Sequence, residues 1–328
     1  MPCRPLGLLV ALSLGVIAVL LAADVCAVER AHPFLIGALN ASWGPTPQVV
    51  GLRDGLRELG YRENEDFVIG VRFTQGDLTA LPAAARQLVQ DGVDLIFADH
   101  DEAAKAAQQA TTQIPIVGVA VGDPVGRGLI QSFARPGGNL TGVADLHLEL
   151  GPKRLEIFRE IIPGLRHVLF PYQAMDPYAT AEAQEVRTAA RRLGIQLVER
   201  AVHTQAEAQA ALTTVQPGEI DGILMPRCCA LNIPGFILDA TTHRGIPAMF
   251  EAPFWVERGG LASYGPDLYT SGQMAARLVD KIRKGVPPAE IPMEVNPKIE
   301  LVINLKVAQA LGLTIAPEVL YRADRLIR

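Results

Sequence analysis

The stretch VDLIFADHDEAAKAAQQATTQIPIVGVAV, residues 93–121, decides the fold. Two apolar runs rich in β-branched residues, VDLIFAD (93–99) and IPIVGVAV (114–121), flank a segment of helical composition, EAAKAAQQATT. Runs without polar interruption suit strands buried on both faces, and two such strands joined by a helix make a parallel βαβ unit. The same alternation extends outward in both directions. Upstream lie FLIGALN (34–40), an amphipathic helix from Gln48 to Gly60 with Val49, Leu52, Leu56 and Leu59 on one face, FVIGVRF (67–73) and the helix LPAAARQLVQDG. Downstream, the turn-rich RPGG (135–138) leads into NLTGVAD (139–145). A second series then starts at the helix Leu150 to Ile162 and runs through HVLF, IQLVER, GILMP and PAMFE with helices between them. At 328 residues the chain exceeds what one hydrophobic core supports comfortably. The expected fold class is therefore α/β, with two Rossmann-like lobes built on parallel sheets. The tail departs from the alternation: LASYG (261–265), a helix from Leu268 to Gly285 and the extended KIELVINL suit a chain that crosses more than twice between lobes.

Composition excludes some classes of function. With 20% charged residues and a formal net charge of -5, nothing attracts nucleic acid or an anionic membrane surface. The N-terminus places Arg4 before an uncharged apolar run from Leu6 to Ala23, and small residues at Val25 and Ala27 fit cleavage after Ala27. Residues 1–27 read as an export signal, with a retained membrane anchor as the alternative. Cys26 lacks the preceding context of a bacterial lipobox. Once Cys3 and Cys26 leave with the signal, the adjacent pair Cys228 and Cys229 remains, and no disulfide framework is expected.

In parallel α/β sheets, ligands bind beyond the carboxyl ends of the strands. Those positions hold Asn40, Ser42 and Trp43 after the first strand, Asp99, His100 and Asp101 after the third, Asp123 after the fourth, and Asp145 at the boundary between lobes. The second half contributes Tyr172, Arg227, Cys228, Glu251 and Tyr264. The run DHDE (99–102) is the densest polar cluster; it suits a cationic ligand or a metal, and equally a helix start with acidic residues in its first turn. Trp43, Tyr172 and Tyr264 suit stacking on a ring or ordinary packing. Asp123 sits beside a turn that it can brace. The Cys228/Cys229 pair has no CxxC spacing or neighbouring histidine, which favours packing over metal binding. There is no GxSxG elbow, no GxxxxGK[ST] loop, no HExxH, and no GxGxxG after the first strand, so no enzyme, cofactor or resident metal is expected.

IPIVGVAVGDPVGRGLIQSFARPGGNLTGV (114–143) resembles the signature of a large bacterial family of ABC transporter substrate-binding proteins, the one that includes TrpX-like proteins. GLRDGLRELGYRENEDFVI (51–69), PKRLEIFREIIPGLRHV (152–168), GGLASYGPDL and KIELVINLKVAQALGLTIAPEVL carry the likeness across the rest of the chain. The resemblance implies a type I periplasmic-binding-protein fold, with lobe 1 at 32–143 plus 264–288 and lobe 2 at 144–263 plus 289–328. It implies a monomer in the periplasm that encloses a small solute and delivers it to an ABC permease in the inner membrane. A ligand sensor signalling to a membrane receptor and a periplasmic hydrolase are the alternatives. Two departures bear on the solute. DHDE replaces a small Gly/Thr/Pro-rich turn, and acidic side chains disfavour a carboxylate ligand; Arg227, Cys228 and Cys229 replace a different loop.

Overall fold

The computed structural model describes residues 32–145, 147–216, 218–227 and 235–328. The export signal read at 1–27 and the pair Cys228 and Cys229 lie outside the described residues.

The first half forms β1 (Phe34–Asn40), α1 (Pro47–Glu58), β2 (Phe67–Phe73), α2 (Leu81–Gln90), β3 (Leu95–Asp99), α3 (Asp101–Ala110), β4 (Ile116–Val121) and β5 (Leu140–Ala144). The second series is α4 (His147–Ile161), β6 (His167–Gln173), α5 (Pro177–Leu193), β7 (Gln196–Val202), α6 (Gln205–Thr213), β8 (Gly222–Leu224), α7 (Phe236–Ala240), β9 (Ala248–Phe250), α8 (Pro253–Glu257) and β10 (Ala262–Pro266). The tail supplies α9 (Leu268–Arg283), β11 (Glu294–Val295), β12 (Ile299–Asn304), α10 (Leu305–Ala310), α11 (Pro317–Arg322) and β13 (Arg325–Ile327).

Two sheets result, in the orders β11-β5-β4-β3-β1-β2 and β13-β12-β10-β9-β8-β6-β7. Every pairing in the first sheet is parallel. In the second, only β10 and β12 run antiparallel. The central strands β3, β4 and β5 are buried along their whole length, as their unbroken apolar sequences require, whereas the edge strand β2 is partly exposed.

Three segments join the sheets: β5 to α4, β10 to α9, and β11 to β12. The sequence reading set the second and third crossings at 263/264 and 288/289. Strand pairing puts all of β10 in the second sheet and β11 in the first, so these crossings fall at Asp267 and at residues 296–298. Periodicity misses this because β10 runs straight into α9 with no linker of distinctive composition. Asn296 ties the crossings together. Its N–H donates to the Ala144 carbonyl at 3.1 Å, its side-chain amide donates to the Asp267 carbonyl at 2.9 Å, and its Oδ1 accepts from Lys298 N–H at 2.9 Å.

Helix α1 begins at Pro47, whose fixed φ suits a first turn. It lies against α9 with the backbones close: a Cβ on Gly51 would stand 2.1 Å from the Tyr269 carbonyl oxygen, and one on Gly272 2.1 Å from that of Gln48. Alanine at Gly272 gains about 1 kcal/mol of helix propensity but forces two backbones apart, an overpacking cost of about 1–3 kcal/mol and occasionally more. Because backbone cannot rotate away, Gly272→Ala is expected to destabilise, lowering the urea midpoint at unchanged slope; a midpoint equal to or above wild type would refute this close packing.

Candidate ligand-binding site

The carboxyl ends of the strands of both sheets face one cleft, and its first wall is the loop after β1. Asp99, at the end of β3, organises that loop by accepting from Asn40 Nδ2 at 2.6 Å, Thr46 Oγ1 at 3.0 Å and Gln48 Nε2 at 3.0 Å. Asn40 Oδ1 in turn accepts from Ser42 N–H at 2.5 Å, and Ser42 Oγ donates to the Gly44 carbonyl at 2.7 Å. Burial pushes the Asp99 carboxyl above its ordinary pKa, against the opposing pull of the Thr46 hydroxyl and Arg227. Asp99 thus holds the loop in shape from behind.

Arg227 crosses from the second lobe to the first. It follows β8 and donates from Nη2 to Asp101 Oδ2 at 2.9 Å, from Nη1 to the Ala120 carbonyl, and from Nη1 to His100 Nδ1 at 3.0 Å. A guanidinium has only donors to offer, so His100 Nδ1 accepts and its proton sits on Nε2. Two of these partners are non-glycine residues with positive φ, His100 at 75° and Ala120 at 54°. His100 stands at the start of α3, and Ala120 lies in the irregularity where the β4–β5 register shifts between Val119 and Val121. The bulge releases the Ala120 carbonyl from sheet pairing and turns it towards Arg227. Two of the four non-glycine residues with positive φ among the described residues thus meet at one interlobe contact.

The guanidinium carbon also lies 4.7 Å from the centroid of the Tyr178 ring, and Arg127, after β4, ion-pairs with Glu102 while standing 3.7 Å from Asp101 and 4.0 Å from Asp176 of the other lobe. Burial alone would raise the Asp101 carboxyl, but Arg227, Arg127 and the Gly122 N–H outweigh it and hold the carboxyl below its ordinary value. Burial also works against the charge on Arg227, and Asp101, Tyr178 and Asp176 reverse that effect, so its pKa is raised and the pair is ionised.

Beside this bridge is a cavity of about 310 Å³, at the small end of ligand pockets. The first lobe lines it with Ser42, Trp43, Gln48 and His100, the second with Arg227, Leu238, Glu251, Phe254, Trp255 and Arg258. Trp255 packs edge-on to Phe254 with centroids 5.1 Å apart, stacks on Phe250 at 6.0 Å, and donates from Nε1 to Glu251 Oε1 at 2.9 Å. The wall is mostly apolar, with a carboxylate held in it by the Trp255 indole.

Of the residues singled out in the sequence, Ser42, Trp43, His100, Arg227 and Glu251 line this cavity. Asn40, Asp99 and Asp101 stand behind it, holding its loop and its bridge. Asp123 is exposed and accepts from Gly126 N–H at 2.8 Å, so it braces a turn. The expectation that Tyr172 and Tyr264 face the ligand does not match their positions: both are partly buried against the second lobe's core, Tyr172 stacking on Phe170 at 6.1 Å. Cys228 lies outside the described residues. Sequence reading missed Gln48, Phe254 and Trp255, which follow a proline in the first turn of a helix, and Arg258, which caps the C-terminus of α8. Among the described residues no group of three or more His, Cys, Asp or Glu is placed to hold a metal.

Asp145 is buried at the first crossing, and burial raises its carboxyl to about 7 despite the pull of Arg227. The folded state therefore holds a proton that the unfolded chain, with its value near 3.8, releases earlier. The stability from this group is complete below pH 3.8 and is lost as pH rises to about 7, at about 1.4 kcal/mol per pH unit. Asp145→Asn cannot lose that proton. It is expected to be more stable than wild type at pH 8 and to forfeit the advantage at pH 4, as chemical denaturation at both pH values would reveal; a difference independent of pH would contradict the assignment.

Two α/β lobes, joined by three segments and lining one cavity between their strand ends, define a two-lobed small-molecule-binding protein. Residues 45–327 match the family model described as ABC transporter substrate binding protein, and the chain belongs to that family. It is 27% identical over 265 residues to the tyrosine-binding protein of Clostridioides difficile (strain R20291), covering 80% of this chain and 76% of that one. A conserved domain protein from Vibrio cholerae superposes with a TM-score of 0.78 at 31% identity, over 89% of this chain and 99% of that one. An ABC domain from Streptococcus pneumonia solved in complex with L-Trp gives 0.78 at 28% identity, over 90% of this chain and all of the other. The family is one of substrate-binding proteins, and the fold is that of type I periplasmic binding proteins.

Proposed function

We propose that this chain is the extracytoplasmic solute-binding subunit of an ABC importer. Exported by a signal cleaved after Ala27, it works as a periplasmic monomer, encloses one small solute between its lobes and presents the closed form to an inner-membrane permease. The observation that carries this reading is Arg227, which reaches from one lobe into Asp101, His100 and Ala120 of the other beside a cavity that both lobes line. Such a bridge exists only when the lobes are together, so closure has a dedicated contact. We take the lobes as 34–144 plus 267–296 and 147–266 plus 297–328, with Asn296 at the hinge. Trp43, Phe254 and Trp255 favour a solute with a flat ring, the class to which the ligands named for two relatives belong.

The test is thermal unfolding of the exported chain against a panel of aromatic solutes, followed by small-angle scattering and by uptake in cells with and without the permease. Ligand at about 100 times its Kd stabilises by about 2.7 kcal/mol, a rise of several degrees for domains of this size. Stabilisation, a smaller radius of gyration with ligand and permease-dependent uptake are expected. Binding without compaction or without any effect on uptake would remove the importer role.

A further inference from the structure

The cavity has a charge preference that its aromatic lining does not by itself dictate. Two of the buried side chains that line it carry acceptors. Glu251 is 5% exposed, and its carboxylate is fixed by the Trp255 indole N–H. Gln48 is 1% exposed; its amide nitrogen is committed to Asp99 Oδ1, which leaves Oε1 as the free end, and Oε1 has no hydrogen-bond partner. A buried acceptor without a donor is costly unless a ligand supplies one.

Of the two arginines that line the cavity among the described residues, the buried one is committed elsewhere and the other is exposed to solvent. Arg227 gives its donors to Asp101, Ala120 and His100, and that bond fixes His100 as the neutral imidazole at Nδ1. Arg258 is exposed, its guanidinium carbon 3.5 Å from the centroid of the Phe254 ring. Trp43 Nε1 is an orphan donor but a neutral one, suited to a single acceptor on the solute.

We infer that the cleft selects its solute by a protonated amine carried on an aromatic body, with Glu251 and the Gln48 carbonyl oxygen taking the amine's N–H donors, and that a free carboxylate on the solute is not required. The inference rests on the solute-binding reading and adds the charge of the solute to it. Trp43, Phe254 and Trp255 reinforce the choice, because ring faces attract a cation and not an anion. Burial raises the Glu251 carboxyl to about 7, and a bound ammonium favours its ionised form.

The experiment is calorimetric titration of the exported chain with three indole probes: tryptamine, which has the amine alone, L-tryptophan, which has both groups, and 3-indolepropionate, which has the carboxylate alone. Tryptamine and L-tryptophan are expected to bind within about tenfold of each other, with 3-indolepropionate at least 100-fold weaker. Glu251→Gln retains an acceptor for the Trp255 N–H, so the wall keeps its shape and only the charge goes. It is expected to weaken tryptamine by about 10- to 100-fold and to reduce the discrimination against 3-indolepropionate. Equal or tighter binding of 3-indolepropionate, or tryptamine affinity unchanged in Glu251→Gln, overturns the charge preference while leaving a solute-binding protein. Failure of all three probes to bind overturns it as well, and the compaction and uptake measurements then decide the importer reading separately.

Discussion

Replacing Arg227 with methionine is expected to weaken solute binding by about 100- to 1,000-fold while moving the melting temperature of the unliganded protein far less. The bridge has both ends buried, Arg227 at 8% exposure and Asp101 at 2%. Removing one partner of such a pair costs about 3–5 kcal/mol where the other charge is left uncompensated, and Arg127, 3.7 Å from Asp101, offsets only part of that loss. Where that cost falls is decided by the architecture. Asp101 and Arg227 belong to different lobes, so opening the cleft returns Asp101 to water and relieves the penalty without unfolding either lobe. The loss therefore appears in closure, and at about 1.4 kcal/mol per tenfold it appears in affinity. Asp101→Asn combined with Arg227→Met removes the stranded charge and keeps an acceptor for the Gly122 N–H, which donates to Asp101 at 3.1 Å. The pair of substitutions should recover part of the affinity. Calorimetry with the best ligand and scattering on the liganded forms measure both effects; an affinity of Arg227→Met within threefold of wild type would show that the bridge does not govern closure.

The layered α/β plan could be read from residues such as those of β3 and β4, whose apolar runs have no polar interruption, and from the glycine stops at Gly60 and Gly92. Strand ends point to the side of each sheet where Trp43, His100, Arg227 and Glu251 line the interlobe cavity. Direction within a strand was the weaker signal. Tyr172 stands two residues after Phe170 and so shares its face, a parity visible in the sequence that places it in the core. The acidic run 99–102 reads as a helix start or as a site for a cation, and Asp101 and Glu102 do stand in the first turn of α3. Its carboxylates are committed to Asn40, Thr46 and Gln48 on one side and to Arg227 and Arg127 on the other. Arg227 lies more than a hundred residues away from Asp101 in the chain, and no local pattern reveals such a pairing. The positive φ of Ala120 was equally hidden, since alanine rarely adopts it, whereas histidine is among the residue types enriched there. Phe254 and Trp255 follow a strand end by way of Pro253, a helix-start signal from which their place in the cavity was legible but was not drawn.

Arg154→Met is expected to cost the second lobe about 3–5 kcal/mol and to lower its melting temperature by roughly 10 °C. Arg154 is fully buried in α4 and donates to Glu182 Oε1 at 3.2 Å, the Met225 carbonyl at 3.2 Å and the Tyr264 carbonyl at 3.0 Å. Methionine fills much of the volume but leaves Glu182 as a buried carboxylate with its cation gone. Burial already raises the Glu182 pKa against the pull of Arg154. Without Arg154 the group must bind a proton or unfold the lobe, so the cost should shrink as pH falls from 8 towards 5. Leucine at Glu182 alongside Arg154→Met removes the stranded group and should restore a substantial part of the stability, leaving the two backbone acceptors as the residual loss. The position also bears on the site. Met225 precedes Arg227 by two residues and Tyr264 lies in β10, just before the second crossing, so Arg154 fixes the strand ends from which the bridge and the hinge depart. The double variant is accordingly expected to fold well yet bind less tightly than wild type. Denaturant midpoints at pH 5 and pH 8 for the two variants decide the matter: a pH-independent loss in Arg154→Met, or a double variant no better than the single one, would place the cost in packing and not in the stranded charge.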